Sequence, residues 1–235
     1  DTNIGNIRPK NEDAFVLKEV WGGTHLLAVV IDGVGGNGGG DVAANLAFKC
    51  ITDYFNSLDI STNSLESLMS AVRFANNTIC SEHYIPYLSQ MSCVLTAALI
   101  NLETGQMDVC HVGDTRLYML KNDVMTKVTS DHSVVGQISE EEAMVHPRRN
   151  IITRSIGKEI LYDDSGYIQT HTLHLEPCTL MLCSDGLYDM VPSSQTKQLL
   201  QESIPADKRV ETLIDAASAA GGKDNVTVIV IDLMK

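Results

Sequence analysis

The period of the hydrophobic positions changes several times along the chain. From His25 to Asp32 it is continuous, Leu26-Leu-Ala-Val-Val-Ile31, and glycines follow. A short apolar run rich in β-branched residues and closed by glycine predicts a buried strand. Gly33 to Gly40 holds too many glycines for regular structure. Beyond it Ala43, Ala47, Cys50, Ile51 and Tyr54 recur at helical spacing, with Asp41 in the first turn, where negative charge is favoured. Leu65, Leu68, Met69, Val72 and Ile79 form a second amphipathic stripe, so two long helices follow each other.

The middle of the chain reads as β. Val94–Leu102, Met107–Val112, Arg116–Lys121 and Val124–Val128 are short β-prone runs. Glu103-Thr-Gly-Gln106, Gly113-Asp114 and Asn122-Asp123 separate them as hairpin-type connections, which implies antiparallel neighbours. Ser130 to Ile156 loses the pattern and predicts a long loop with one short helix, of the kind that is functional or mobile in compact domains. Strands return at Gly166–Leu175 and Thr179–Cys183. Val210, Leu213, Ile214 and Ala217 mark a late helix ended by Gly221-Gly222. Val226–Ile231 is apolar at every position but Thr227 and predicts a central strand covered on both faces. No regular βαβ alternation, repeat or linker is present, so the expected class is α+β in packed layers, one domain over residues 1–235.

Charge narrows the function. Lys plus Arg is 17 against 30 Asp plus Glu, a net charge of −13. Such a surface repels phosphate backbones, and no nucleic-acid partner is expected. The longest apolar run falls far short of the roughly 20 residues that span a bilayer, and no export leader is visible, so no membrane partner and a cytoplasmic location are expected. The six cysteines, Cys50, Cys80, Cys93, Cys110, Cys178 and Cys183, form no Cys-x-x-Cys pair and read as reduced core residues. The seven histidines show no pair at i, i+4, which weakens a zinc reading. His132 reads as a solvated loop histidine, and Glu140 to Glu142 as a solvated helix start.

Acidic residues recur where apolar strands end beside glycine: Asp32-Gly33, Gly113-Asp114, Asp185-Gly186 and Asp224-Asn225 after Gly221-Gly222, with Asn11-Glu12-Asp13 before another β-like run. One such place alone is an ordinary turn. Gathered on one rim of a sheet structure, the carboxylates would need compensating charge. Hard cations such as Mg²⁺ or Mn²⁺ supply that charge and prefer oxygen ligands.

In order along the chain stand Arg8-Pro-Lys-Asn-Glu-Asp13, Asp32-Gly-Val-Gly-Gly36, His111-Val-Gly-Asp-Thr-Arg116, Cys183-Ser-Asp-Gly186 and Lys223-Asp-Asn225. This ordered set resembles the metal-dependent serine/threonine phosphatases of the PP2C (PPM) family, from about Ile4 to Asp232, and Arg148 to Gly157 resembles its bacterial branch. The resemblance implies a four-layer αββα sandwich, two antiparallel sheets flanked by helices, with metals at one end. It implies hydrolysis of phosphoserine and phosphothreonine on proteins by water activated at a binuclear Mn²⁺ or Mg²⁺ centre, with a third ion possible. Asp32 matches the carboxylate bridging the two metals, Gly33 the residue lending a backbone carbonyl, and Asp185 and Asp224 the other direct ligands. Glu12 and Asp13 match residues acting mainly through water at the metals. Arg8 matches the phosphate-gripping arginine, and Asp114 the ligand of the third ion. Lys10 stays open as an alternative phosphate contact, because alternation along an extended segment puts it on the face of Arg8.

Three positions depart from the family pattern. Val34 stands where some members carry histidine, Ser92-Cys93-Val94 where Gly-Thr-Thr is usual, and the loop after Asp131-His132-Ser133 is shorter than the bacterial pattern by about two helical turns, at 3.6 residues per turn. That loop resembles the family's flap, which borders the substrate site. Two rival readings stay open: a pseudophosphatase used as a binding module, and a regulatory phosphatase acting on an anti-sigma-factor antagonist. Filled ligand positions weigh against the first and the complete Arg8 to Asp13 set against the second. Expected partners are phosphorylated proteins, including a serine/threonine kinase or its substrates, met by a monomer.

Overall fold

The computed structural model describes residues 1–34, 38–60, 63–84, 89–139, 142–143, 146–162 and 166–234. Part of the glycine loop, Gly35-Gly36-Asn37, and Glu140-Glu141 of the acidic run lie outside the described residues.

The elements follow in the order β1 (Thr2–Asn3), β2 (Asp13–Val20), β3 (His25–Gly33), α1 (Gly40–Ser57), α2 (Ser64–Ser81), β4 (Cys93–Asn101), β5 (Gln106–Val112), β6 (Arg116–Lys121), β7 (Val124–Lys127), β8 (Gln169–His174), β9 (Cys178–Cys183), α3 (Asp185–Tyr188), α4 (Ser193–Leu200), α5 (Ala206–Ala219) and β10 (Val226–Leu233). They build two five-stranded sheets, β1-β10-β9-β6-β7 and β2-β3-β4-β5-β8. Every ladder is antiparallel. Asn122 and Asp123 both take positive φ, 48° and 61°, in the two-residue turn joining β6 to β7, as a tight hairpin requires.

Alternation along the strands explains the continuous apolar runs. On β3, Leu27, Val29 and Ile31 point to the core under α1 and α2, where they meet Ala47, Ile51, Leu68 and Val72. Ala28 and Val30 point the other way, into the layer between the sheets, against Leu117, Leu180 and Leu182. β10 repeats the arrangement: Val226, Val228 and Val230 pack under α5 with Val210, Leu213 and Ile214, while Ile229 and Ile231 face the layer between the sheets. Two covered faces leave no polar side to alternate with. The result is the α+β four-layer αββα sandwich.

Three elements went without a sequence signal. β1 is two residues long. α3 spans four residues inside a motif that reads as a turn. α4 buries only Thr196 and Leu200, too few for a visible stripe.

Ser130 to Ile156 is irregular, as its pattern predicts, but tied down: it carries bridges Ser133↔Ile152 and Cys93↔Ile156. Buried Asn76 on α2 accepts the Gly157 N–H at 2.8 Å and donates to the Glu159 carbonyl, also at 2.8 Å, anchoring the segment's exit. Ser139 and Glu142 bond reciprocally: the Glu142 N–H donates to Ser139 Oγ at 3.3 Å, and the Ser139 N–H donates to Glu142 Oε2 at 3.2 Å. His132 is half-buried rather than fully solvated. Its ring accepts the Gly113 N–H through Nδ1 at 3.0 Å and stacks on buried His111, ring centres 4.9 Å apart. Burial pushes the His132 imidazole down to about 4 and that of His111 to about 3, so both are neutral packing groups at physiological pH.

Candidate functional site

Strand ends from both sheets meet at one end of the sandwich. Asp13 opens β2 directly across from Asp32 near the end of β3. Gly113 and Asp114 leave β5, and Asp185 and Asp224 flank the paired ends of β9 and β10, where Val228 opposes Cys183. The antiparallel registers therefore bring residues scattered over most of the chain to a common rim.

A cavity of about 230 Å³ opens there, and its wall includes Arg8, Glu12, Asp32, Asp114, Asp185 and Asp224. Gly33, Val34 and Asn225 complete the wall beside them, with Val94, Asn150 and Ile152 across from the acids. Of the residues named from sequence, Arg8, Glu12, Asp32, Gly33, Asp114, Asp185 and Asp224 all line it. Asp13 does not. Its Oδ2 accepts the hydroxyls of Ser184 at 2.8 Å and Thr227 at 2.7 Å, which ties one sheet to the other behind the cavity.

Backbone approach at this rim admits only glycine. A Cβ on Gly33 would lie 2.3 Å from the Gly40 carbonyl oxygen and 2.7 Å from that of Glu12. Gly113 has φ 108° and faces Val94, whose Cγ1 would stand 2.1 Å from an added Cβ. Val94, at the position that departs from the family's Gly-Thr-Thr, thus fills the space this glycine leaves.

The carboxylates crowd one another in low dielectric. Burial first, then repulsion from Asp13, Asp185, Asp114 and Asp224, raises the Asp32 carboxyl well above the usual carboxylate range. The same causes raise Asp185, with Asp114 and Asp224 the nearest repulsive charges. Burial pushes Asp114 up to about 7, and Asp13 up to about 6 against the opposing hydroxyl bonds from Thr227 and Ser184. One cation already answers this charge: Arg8 Nη2 donates to Asp224 Oδ2 at 2.6 Å. Lys10 is turned elsewhere, 2.7 Å from Asp41 on α1 and 3.5 Å from Glu12, and does not line the cavity.

The motif Lys223-Asp-Asn225 includes Asn225 but gives it no role, yet it holds the N-terminal arm in place. Its Oδ1 accepts the Glu12 N–H at 2.8 Å, and its Nδ2 donates to the carbonyls of Ile4 at 2.9 Å and Lys10 at 3.0 Å. These bonds join positions more than 200 residues apart. They fix the segment carrying Arg8 and Glu12, and a 4% exposed carboxamide leaves none of its polar atoms idle.

The donor set suits small, hard divalent ions: carboxylate oxygens, a backbone exposed by glycine, and buried negative charge in excess of positive. Among the described residues no three acidic, histidine or cysteine groups enclose a single point. The cavity wall holds, among the described residues, no serine, threonine, cysteine or histidine that could attack a substrate.

The family model described as Protein phosphatase 2C matches residues 9–224. A curated relative, the serine/threonine phosphatase stp of Listeria innocua, is 33% identical over 248 residues, covering 98% of this chain and 93% of its own length. Among solved structures, the Mycobacterium tuberculosis serine/threonine phosphatase PstP/Ppp superposes with a TM-score of 0.87 at 29% identity, covering 100% of this chain and 97% of that one. The catalytic domain of the serine/threonine protein phosphatase PstP in complex with two manganese ions gives a TM-score of 0.83 at 28% identity, covering 99% and 95%.

Proposed function

The chain belongs to the protein phosphatase 2C family and is a metal-dependent serine/threonine protein phosphatase with a binuclear centre, and from that premise we propose which of its residues carry the reaction. The observation that carries the assignment is the rim cavity itself: converging carboxylates and one guanidinium, with no side-chain nucleophile. Bound at the rim acids, two divalent ions would supply an activated water as the nucleophile and would neutralise charge on the phosphoryl oxygens.

Asp32, which matches the family's bridging carboxylate, would hold both ions; it lines the cavity and is repelled there by Asp13, Asp185, Asp114 and Asp224. Asp185 and Asp224 approach from the opposite sheet, and the Gly33 backbone lies open beside Asp32. Asp114 would serve the weaker third ion. Glu12 acts through water at the cavity edge, and Asp13 acts from behind, its carboxylate orientation fixed by Ser184 and Thr227. Arg8 receives the substrate phosphate; its forked donors suit a dianion, and in the free protein they rest on Asp224. Asn225 keeps Arg8 and Glu12 at the rim. Val34 lines the wall where some family members carry histidine, so this position supplies no imidazole for the leaving-group proton.

The substrates are phosphorylated proteins, and we propose that these include a serine/threonine kinase or its targets, met by a monomer in the cytoplasm. No helix among the described residues is long and apolar enough to cross a membrane.

Purified protein is expected to hydrolyse p-nitrophenyl phosphate and a phosphothreonine peptide with Mn²⁺, to lose both activities in excess EDTA, and to regain them when Mn²⁺ is restored. Undiminished turnover in chelator, with no metal retained by elemental analysis, would sink the metal-dependent mechanism.

A further inference from the structure

Asp114 and Asp185 line the rim cavity from different sheets, and Asp114 is the largest of the charges that repel Asp185. Something must hold the two at a set span. Asp114 follows Gly113, whose φ of 108° belongs to the region glycine alone enters freely. A turn with that freedom keeps its shape through bonds from outside. Three successive carbonyls receive them, each from a different part of the fold. The Gly113 oxygen accepts the His132 N–H at 2.6 Å, the Asp114 oxygen accepts the Tyr188 hydroxyl at 3.0 Å, and the Thr115 oxygen accepts the Thr96 hydroxyl at 3.1 Å. Each peptide is a rigid plane, so the direction of the Asp114 side chain is set by the two planes that flank its Cα. His132 pins the one before and Tyr188 the one after.

Tyr188 is itself held. It closes α3, the four-residue helix that Asp185 opens. The Arg116 guanidinium lies 3.5 Å from the centre of its ring. That guanidinium is tied on both sides: Nε and Nη2 donate to the Asp131 carboxylate, Nη2 at 2.7 Å, and Nη1 donates to the Tyr118 hydroxyl at 2.9 Å. One short helix thus carries an acid of the cavity at its start and, at its end, a clamped hydroxyl bound to the backbone of another.

We propose that Tyr188 is a positioning residue for metal binding at Asp114, its hydroxyl holding the Asp114 peptide at a fixed span from Asp185 against the repulsion between the two acids. The proposal rests on the reading of Asp114 as the ligand of the weaker third ion. Without the hydroxyl the Asp114 peptide is free to turn away from Asp185, and an ion must reorder it on binding, which weakens affinity at that ion. Asp32 and Asp224 take no bond from Tyr188, so the two tighter ions keep theirs.

Tyr188→Phe keeps the ring against Arg116 and removes only the hydroxyl. Bound Mn²⁺ is counted from the electron paramagnetic resonance signal of the free ion in the parent, Tyr188→Phe, Asp114→Asn and the double variant. Tyr188→Phe is expected to bind two ions as the parent does and the third about fivefold more weakly, the worth of one net hydrogen bond. Asp114→Asn should lose the third ion, and adding Tyr188→Phe to it should change nothing further, because the tyrosine acts through Asp114. A tyrosine that merely supports the fold would instead weaken the tight sites and act equally in both backgrounds. Third-ion affinity unchanged in Tyr188→Phe but lost in Asp114→Asn overturns the positioning role alone. Weakened tight sites, a further effect in the Asp114→Asn background, or a Tyr188→Phe protein that fails to fold overturns it as well. A parent that binds no third ion, or an Asp114→Asn variant that binds it like the parent, overturns the reading of Asp114 and the proposal with it.

Discussion

Asp185→Asn is expected to lower turnover to the rate measured without metal, while the metal-free protein melts at the parent's temperature or above it. Asp185 opens α3 immediately beyond β9 and lines the acidic cavity. Its carboxyl is raised well above the usual range by burial first, then by Asp114, Asp224, Asp189 and Asp13. A carboxyl whose folded pKa lies above its unfolded value opposes folding once the pH exceeds the unfolded value. At neutral pH, without metal, the ionised Asp185 is therefore a burden on the fold, and asparagine removes the charge while keeping the shape. The same substitution deletes a ligand that the ions need, so activity and stability move in opposite directions. Thermal melting in EDTA and kcat in Mn²⁺ measure the two. A variant that fails to fold, or that turns over like the parent, would show that Asp185 is not a metal ligand.

Arg8→Ala is expected to reduce kcat/KM for a phosphopeptide by about 1.5–3 kcal/mol, the range for hydrogen bonds to charged groups, or about 10- to 150-fold. The loss should enter through both KM and kcat, because the guanidinium meets the phosphate dianion before the reaction and the transferring group during it. Mn²⁺ affinity should change by no more than about 1 kcal/mol, since Arg8 and Asp224, side chains 45% and 31% exposed, form an ion pair at the surface. Lys10→Ala is the paired control. Lys10 is 52% exposed, engaged with Asp41 and Glu12, and outside the cavity wall. It should be close to silent in the same assay. A large loss in Lys10→Ala with Arg8→Ala unaffected would reverse the assignment of the phosphate contact.

The layers and most strands are legible in sequence because burial on both faces writes itself as unbroken apolar runs, as in Leu26–Ile31 and Val226–Ile231. The acidic rim is legible because each candidate ligand sits beside a strand end, most of them marked by glycine. Contacts between distant segments leave no such mark. Asn225 looks like a turn residue until Ile4, Lys10 and Glu12 are seen around it. The hydroxyls of Ser184 and Thr227 bind Asp13 across the two sheets, and only the register of β9 against β10 brings them there. His132 follows the same rule: an irregular segment hides that its ring is packed on His111 and bound to the Gly113 backbone. Sequence leaves Arg8 and Lys10 as alternative phosphate contacts, because alternation would put both on one face, and only the fold places Asp41 beside the lysine.

Anomalous scattering from crystals soaked in Mn²⁺ tests most directly whether the acidic rim holds the catalytic ions. Two strong peaks are predicted inside the cavity bounded by Asp32, Gly33, Asp185 and Asp224, with any weaker third peak beside Asp114. Peaks only at other surfaces, or an empty cavity at a Mn²⁺ concentration that supports full turnover in solution, would contradict the account.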